Sequence, residues 1–342
     1  MAKLDFFGDV YLDRPRRANV PLAGEYVLNM ESPLTRSSRP EWGKINLKSE
    51  GVYFKETFGK NPAAVCLANN HIMDYGNEGF RDTIAALQRQ GIPYFGAGLL
   101  ADRCHNPLLL DLGGQRIALL GYVCPTTQPI FAAAENFGVA PIHAPAIAGD
   151  ILRARESGGE RIIVQLHWGR EDVPLPRPAD MALAHQLIEL GADLVIGHHA
   201  HCIQPFEIYK GRYIFYGLGN ALFPNTEMVS YSREGRRQNN RQIKWRKWNR
   251  ESLAVQYDTA AQSIEIRLLF FGDQLAIVPG ARPERDYAFN GKPGARYEKK
   301  YARTVRLAML RRLAAGFLSR PRMPKRRNLR WLIDLFKTDK TS

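Results

Sequence analysis

The stretch Leu194-Val195-Ile196-Gly197-His198-His199-Ala200-His201 joins a short apolar run to three histidines within four residues. The apolar run contains two β-branched residues and predicts a buried strand. Three imidazoles at the end of such a strand have little structural purpose and would repel one another if protonated. Imidazole is, by contrast, a common donor to divalent cations. The stretch therefore predicts a cation site at the end of a strand.

The same arrangement of a short apolar run followed by a polar loop recurs through the first two thirds of the chain. Two segments between these runs, Glu78–Arg89 and Met181–Leu190, have apolar residues at helical spacing, and Gly91 and Gly191 follow them as expected for helix ends. This alternation predicts a layered α/β fold with functional loops at the strand ends. The predicted strands are Leu4–Phe7, Tyr26–Met30, Ala64–Leu67, Ile117–Leu120, Ile162–Leu166 and Leu194–Ile196.

The last third of the chain has a different pattern. A hairpin is predicted over 203–217 with Lys210-Gly211 as its turn, and strands Leu253–Tyr257 and Ser263–Phe271 are expected to close the domain. The polar, basic segment 225–250 has no periodicity and is expected to include a mobile surface loop. We therefore expect one domain over 1–278 and an irregular linker with a basic tail over 279–342.

The tail after residue 278 divides into pieces of different character. Its first part, Pro279–Gly294, is rich in Gly and Pro and is expected to be irregular. A helix is predicted over Tyr297–Leu318, a basic cluster at 320–327 should end it, and Trp331–Phe336 is predicted to form a second short amphipathic piece.

Nearly all of the net charge of +14 belongs to this tail, since 292–342 contains 16 Lys and Arg against 3 Asp and Glu. Basic residues interleaved with aromatic ones favour an anionic membrane surface over nucleic acid, and a solvated tail without a partner is the alternative. No apolar run approaches the roughly 20 residues of a membrane span, and the N-terminal residues do not have the pattern expected of a secretory signal. We therefore expect a cytoplasmic protein, peripheral at the inner membrane face if the tail binds anionic lipid. The four cysteines are far apart, which argues against a disulfide framework.

Polar residues with metal-binding chemistry follow five of the predicted strands. Taken singly, Asp9 would be a turn former, Glu31 a loop carboxylate and His167 a structural histidine. Together they indicate a site of carboxylate and imidazole donors, which suits a divalent cation. The five loops are Gly8-Asp9, Asn29-Met30-Glu31-Ser32, Asn69-Asn70-His71-Ile72-Met73-Asp74, His167-Trp168-Gly169 and 197–201.

The order of these motifs from Phe6 to Phe223 resembles the CapA family, a bacterial branch of the calcineurin-like metallophosphatases. The resemblance implies a four-layer α/β/β/α sandwich that holds one or two divalent ions, such as Mn, Fe or Zn, at its strand ends. The metal ligands that it implies are Asp9, Glu31, Asn70, His167, His199 and His201.

The resemblance also implies roles for residues around the metal. His71 would give a proton to the leaving group, and Asp74 would orient His71. Substrate contacts are expected from Glu171, His198 and Asn220. The family's parent superfamily begins with Asp-x-His, whereas this chain has Asp9-Val10-Tyr11, so one imidazole ligand is missing.

Two functions follow as hypotheses. The first is a metal-dependent hydrolase that acts on a phosphoester or on an anionic polymer related to capsule or poly-γ-glutamate. In this hypothesis the basic segment 225–250 either holds acidic substrate near the site or is a solvated run of charges. The second is a non-catalytic, metal-stabilised factor for assembly or polymer binding in capsule or exopolymer synthesis at the membrane surface. A metal-dependent rate would distinguish the enzyme from the assembly factor.

Overall fold

The computed structural model describes residues 3–100, 104–289 and 294–319. These residues fall into two compact units, one within 1–290 and one within 291–342. In chain order the strands are β1 (Lys3–Val10), β2 (Ala18–Asn19), β3 (Glu25–Met30), β4 (Ile45–Asn46), β5 (Ala64–Cys66), β6 (Tyr94–Phe95), β7 (Ala97–Gly98), β8 (Leu108–Leu112), β9 (Gln115–Val123), β10 (Gly138–Val139), β11 (Arg161–His167), β12 (Leu194–His198), β13 (Ile203–Tyr209), β14 (Arg212–Leu218), β15 (Asn220–Leu222), β16 (Glu227–Tyr231), β17 (Arg237–Gln242), β18 (Glu251–Asp258), β19 (Ser263–Phe271) and β20 (Leu275–Ile277).

The helices in the described residues are α1 (Phe54–Phe58), α2 (Gly76–Arg89), α3 (Ala144–Glu156), α4 (Pro178–Glu189), α5 (Pro283–Asp286) and α6 (Ala295–Ser319). Short 3-10 turns lie at Pro125–Thr127 and Lys247–Asn249. Each apolar run predicted as a strand between residues 4 and 271 lies in a strand to within one residue, and both helices predicted before residue 200 are present.

The first large sheet has the strand order β2-β20-β19-β18-β1-β3-β5-β6, with β15 pairing beside β1. The strands β1, β3, β5 and β6 run parallel, and α1 and α2 lie in the crossovers that join β3 to β5 and β5 to β6. Successive crossovers in one direction place their helices on one face of a sheet. Phe58 of α1 contacts Phe7 and Tyr26 on that face.

The second large sheet has the order β13-β14-β12-β11-β9-β8. Its central strands β9, β11, β12 and β14 are parallel, and α3 and α4 connect β9 to β11 and β11 to β12. The two helices contact each other and pack on β11, β12 and β14. Their buried residues, including Ile151 and Leu187, therefore cover the outer face of this sheet.

The two sheets face each other across one hydrophobic core that contains side chains of both. The approach is close at Gly121 of β9, where an added Cβ would lie 3.0 Å from the Cβ of Ala68 and 3.1 Å from the Sγ of Cys66. Helices on the outer faces and two sheets between them confirm the predicted four-layer α/β/β/α sandwich.

The segment 225–250, in which a surface loop was expected, also contains two strands that were not predicted. Strands β16 and β17 form a hairpin there, and β16 also pairs with β4 to make a three-stranded sheet. The sequence of β17, Arg237–Gln242, is polar at every position, so it lacks the alternation of apolar and polar residues by which a strand is predicted.

The second unit contains α6, which matches the helix predicted over Tyr297–Leu318. The basic cluster at 320–327 and the amphipathic piece Trp331–Phe336 lie outside the described residues. Among the helices in the described ranges, none combines the length and the apolar character that a membrane span requires.

Candidate metal centre

The predicted ligands converge where the carboxyl ends of strands from both large sheets meet. In the first sheet, Asp9 lies near the end of β1 and Glu31 directly follows β3. In the second sheet, His167 is the last residue of β11 and His199 directly follows β12. In the first sheet β1 is the parallel neighbour of β3, and in the second sheet β11 is the parallel neighbour of β12. The carboxyl ends of such neighbours lie side by side, so each sheet contributes a pair of donors. The site thus draws on residues up to about 190 positions apart in the chain.

Asp9 is fully buried and is held by three neighbours. Its Oδ1 accepts a hydrogen bond from Asn29 Nδ2 at 2.8 Å and lies 3.1 Å from His198 Nδ1, and its Oδ2 accepts one from the backbone N–H of His199 at 3.2 Å. Burial by itself would raise the pKa of Asp9, but the hydrogen bond and charge of His198 outweigh it and hold the pKa below its ordinary value. Asp9 is therefore a fixed carboxylate.

Glu31 is also fully buried, yet neither of its carboxylate oxygens has a hydrogen-bond partner among the described residues. Its Oε1 lies 3.7 Å from His167 Nε2 and 3.7 Å from His201 Nε2. Burial, with the charges of Asp9, Glu171 and Asp74 adding to it, raises the pKa of Glu31 well above its ordinary range. A buried carboxylate without donors is costly unless a cation compensates it.

The three histidines present nitrogen atoms to this carboxylate. His167 Nδ1 and His199 Nδ1 are buried without a partner in the described part of the chain. His201 Nδ1 lies 2.8 Å from the side-chain oxygen of Asn220, which makes it the protonated nitrogen and leaves the lone pair of Nε2 facing Glu31. Burial lowers the pKa of His167 well below its ordinary value, and it lowers the pKa of His199 to about 4. Neutral imidazoles are the form that binds metal.

Three groups of side chains could each hold a cation, because one ligand atom from every member lies within 4.8 Å of the others. Glu31 belongs to two of these groups and so could bridge two ions. Asn70 adds a carbonyl donor, since its Oδ1 lies 2.8 Å from His167 Nε2. The groups are Asp9, Glu31 and His201; Glu31, His167 and His199; and Glu171, His199 and His201.

The unpartnered atoms and the chemical types of the donors both indicate a site for a divalent metal ion. Mixed carboxylate, amide and imidazole donors suit Mn, Fe or Zn. The unpartnered oxygens of Glu31 and the unpartnered Nδ1 of His199 are atoms that such an ion would satisfy, and Nε2 of His167 faces the same carboxylate. The residues therefore fit a divalent metal.

His71 and Asp74 lie beside this centre and contact each other. His71 Nδ1 is 2.7 Å from Asp74 Oδ2, and that oxygen also accepts a hydrogen bond from the backbone N–H of Leu47 at 2.6 Å. The Nζ of Lys44 forms an ion pair with Asp74 Oδ1 at 2.5 Å and donates to the carbonyl oxygen of Asn70. Asp74 thus fixes the orientation of the His71 ring.

Two of the expected substrate-binding residues occupy different places from those expected. His198 is buried, with Nδ1 at Asp9 and Nε2 3.1 Å from the side-chain oxygen of Gln165, so it positions Asp9 instead of reaching substrate. Asn220 is buried too, and it joins His201 to the carbonyl oxygen of Asn249. Glu171, by contrast, does face the cleft.

Several positioning residues were not predicted from the sequence. Asn69 donates to Asn29 and to the carbonyl oxygen of Met30, and its own oxygen accepts the backbone N–H groups of His71 and Ile72. The sequence did indicate that these two residues lie near the site, because Asn29 and Asn69 belong to two of the motif loops. Their amides connect those loops and so set the distance between the donors on β3 and β5.

The loop after β12 has unusual backbone geometry. His199 has a φ of 86° and His201 a φ of 51°, both in the left-handed region that residues with a Cβ seldom adopt. Such conformations persist where the surroundings impose them, and they concentrate at functional sites. The alternation of a regular strand ends here, and both imidazoles reach the same centre.

A cleft of about 190 Å³ opens onto the centre. Its lining combines polar residues, several of them from the candidate centre, with five apolar side chains. The lining residues are Lys44, Ile45, Leu47, Asn70, His71, Thr126, Thr127, Gln128, Glu171, His199, His201, Phe223, Ile243 and Trp245.

Fold and site together define a layered α/β protein with a candidate carboxylate–imidazole metal centre at its strand ends. The family model for the bacterial capsule synthesis protein PGA_cap matches residues 23–225, and the chain belongs to that family. The resemblance to CapA proteins is thereby confirmed.

Curated relatives agree with this assignment. The chain is 31% identical over 202 residues to the capsule biosynthesis protein CapA of Bacillus anthracis. This match covers 57% of this chain and 49% of that relative. The chain is 32% identical over 205 residues to the PGA biosynthesis protein CapA of Bacillus subtilis, with 59% and 54% covered. A probable polyglutamine synthesis accessory protein of Mycobacterium tuberculosis is 38% identical over 173 residues, with 47% and 45% covered. The chain spans about half the length of the curated relatives it matches.

Proposed function

We propose that this chain is a metal-dependent hydrolase of the metallophosphatase type. The observation that carries the proposal is Glu31, a fully buried carboxylate that belongs to two possible ligand groups and has no protein donor among the described residues. Asp9, Glu31 and His201 would hold one ion, and Glu31, Asn70, His167 and His199 would hold the other. When bound, a divalent cation supplies Lewis acidity to substrate oxygens.

The chain's own residues supply proton transfer and exclusion of water. His71 lines the cleft and would give a proton to the leaving oxygen, with its ring held by Asp74. Phe223 and Trp245 contact the ring of His201 and form an apolar wall beside it, which reduces the access of bulk water to the reacting groups.

The substrate we propose is a phosphoester or an anionic polymer related to capsule or poly-γ-glutamate. The names of the relatives, which refer to capsule and PGA biosynthesis, support the polymer. The basic hairpin over 227–242, with Arg233, Arg236 and Arg237 exposed, supports an acidic substrate.

The test combines elemental analysis of the purified protein with hydrolysis of a generic phosphomonoester and phosphodiester. We expect bound Mn, Fe or Zn and a rate that disappears in His199→Ala together with the metal. His185→Ala is a matched control, since His185 lies on α4 and pairs with Glu207 away from the cleft. A His199→Ala variant with full metal content and full activity would contradict the proposal.

A second candidate function is a non-catalytic factor for polymer binding or assembly at an anionic membrane surface, located at the inner membrane face. The specific observation is α6, on which Leu307 and Leu310 are each 44% exposed among the basic residues Lys300 and Arg303. Apolar and cationic side chains on one helix suit an interface with anionic lipid.

Flotation with vesicles of phosphatidylglycerol and phosphatidylcholine tests this candidate. The Leu307→Ser, Leu310→Ser double variant should float less than the parent protein. Leu152→Ser, which changes a 59% exposed leucine on α3, should float equally. Failure of the parent protein to float would remove the membrane partner.

A further inference from the structure

Lys44 is the one Lys or Arg among the described residues that line the cleft. It comes from the segment just before β4, a part of the chain in which no motif was identified. Its side chain is only 13% exposed, so its position is set by contacts and not by solvent.

The contacts of Lys44 leave part of its donor capacity unused. An ammonium group carries three N–H donors. One is donated to the carbonyl oxygen of Asn70, and the charge faces Asp74 Oδ1 at 2.5 Å. Since the side chain also lines the cleft, and one carbonyl oxygen and one carboxylate oxygen take at most two of the three donors, at least one donor is left for a group bound there.

The position of this ammonium relative to His71 is fixed by the carboxylate that they share. Asp74 contacts Lys44 through Oδ1 and His71 through Oδ2. An oxygen atom bound to the cleft side of Lys44 would therefore lie next to the ring of His71.

The surroundings strengthen such a contact. Five apolar side chains lie among the polar residues that line the cleft, and where they exclude water they strengthen the attraction between an ammonium group and an anion. These side chains are Ile45, Leu47, Phe223, Ile243 and Trp245.

We propose that Lys44 forms an oxyanion subsite of the cleft and binds a phosphate or carboxylate oxygen of the ligand beside His71. This inference rests on the proposed function in one respect, that the cleft is the binding site. It extends that function by assigning a specificity-determining residue, one that selects anionic groups.

Calorimetric titration of the metal-loaded protein with inorganic phosphate, and separately with acetate, tests the subsite. Loss of a hydrogen bond to a charged group predicts that Lys44→Met weakens binding of the preferred anion about 10- to 100-fold. Lys44→Arg keeps the charge and should stay within a few-fold of the parent. Lys48→Met is the matched control, because Lys48 pairs with Glu50 and does not line the cleft.

Metal content is measured on every variant, and it should not change because an ammonium group has no lone pair to give a cation. Equal anion affinity of the parent and Lys44→Met would overturn the subsite, as would absence of binding by both probes. Loss of turnover alone, with anion binding that still depends on Lys44, would remove the hydrolase and leave the subsite. If Lys44→Met does not fold, amine acetylation of the parent protein replaces it: phosphate or acetate should protect Lys44 and not Lys48, and equal labelling would refute the subsite.

Discussion

Acidification of the metal-free protein should lower its stability in a way that shows whether His199 is a neutral imidazole in the folded chain. The His199 ring is buried, and burial lowers its pKa from 6.5 to about 4. The unfolded chain therefore takes up a proton near pH 6.5, whereas the folded chain excludes that proton until about pH 4. The contribution of His199 to stability is fully present above pH 6.5 and is lost as the pH falls towards 4.

The size of this loss follows from the two pKa values. At about 1.4 kcal/mol for each pH unit, lowering from 6.5 to about 4 amounts to about 3 kcal/mol in full, and to about 2 kcal/mol between about pH 7 and pH 4.5. This is a large part of the net stability of a typical domain.

The assay is urea unfolding of protein freed of metal by a chelator, with parent and His199→Asn compared at about pH 7, 6, 5 and 4.5. Asparagine does not titrate, and it tolerates the left-handed backbone that His199 adopts at a φ of 86°. The free energy of unfolding of the parent should fall relative to the variant by about 2 kcal/mol over this range. Two curves that stay parallel would refute the assignment of His199 as a buried, neutral imidazole.

Three further predictions concern the carboxylates and the core. Glu31→Gln should bind less than half of the parent's metal by elemental analysis. It should nevertheless melt at a higher temperature than the metal-free parent, because it removes a buried carboxylate without donors. Unchanged metal content would contradict this prediction. Asp74→Asn should lower kcat about 10- to 100-fold with unchanged metal content, because the His71 ring loses its orienting carboxylate; an unaltered kcat would count against that role. Gly197→Ala should destabilise the fold by about 3 kcal/mol or more, because its Cβ would lie 2.0 Å from the carbonyl oxygen of Tyr216; a parent-like urea midpoint would show that the two strands can separate.

Sequence patterns predicted the central strands and the location of the site because both depend on local features. An apolar run such as Leu194–Ile196 must be buried, and a polar loop directly after it must lie at the edge of the sheet. Parallel neighbours then bring such loops together without any further information. The predicted metal ligands lie either in such loops or, as Asp9 and His167 do, at the carboxyl ends of the strands themselves.

The individual orientation of adjacent histidines could not be predicted in the same way. His198 ends β12 opposite His167 in the parallel register, and its ring contacts Asp9 and Gln165. After His198 the backbone is in the left-handed region at His199 and His201. The alternation of side chains along a strand therefore no longer predicts which of them faces the centre. Lys44 was not predicted for a related reason, since its contacts with Asn70 and Asp74 depend on how two loops pack.

Tyr11 shows what the missing imidazole means for the centre. Its hydroxyl donates to the carbonyl oxygen of Lys48 at 3.2 Å, and its ring packs against Phe223 at 5.3 Å between centroids, so this position contributes packing and no metal ligand. The group of Asp9, Glu31 and His201 retains three donors without it. For zinc, three protein ligands with an open position are typical of catalytic sites, whereas structural sites have four. In the proposed centre, the group of Asp9, Glu31 and His201 would therefore offer fewer ligands than the group of Glu31, Asn70, His167 and His199, and Glu31 would be common to both.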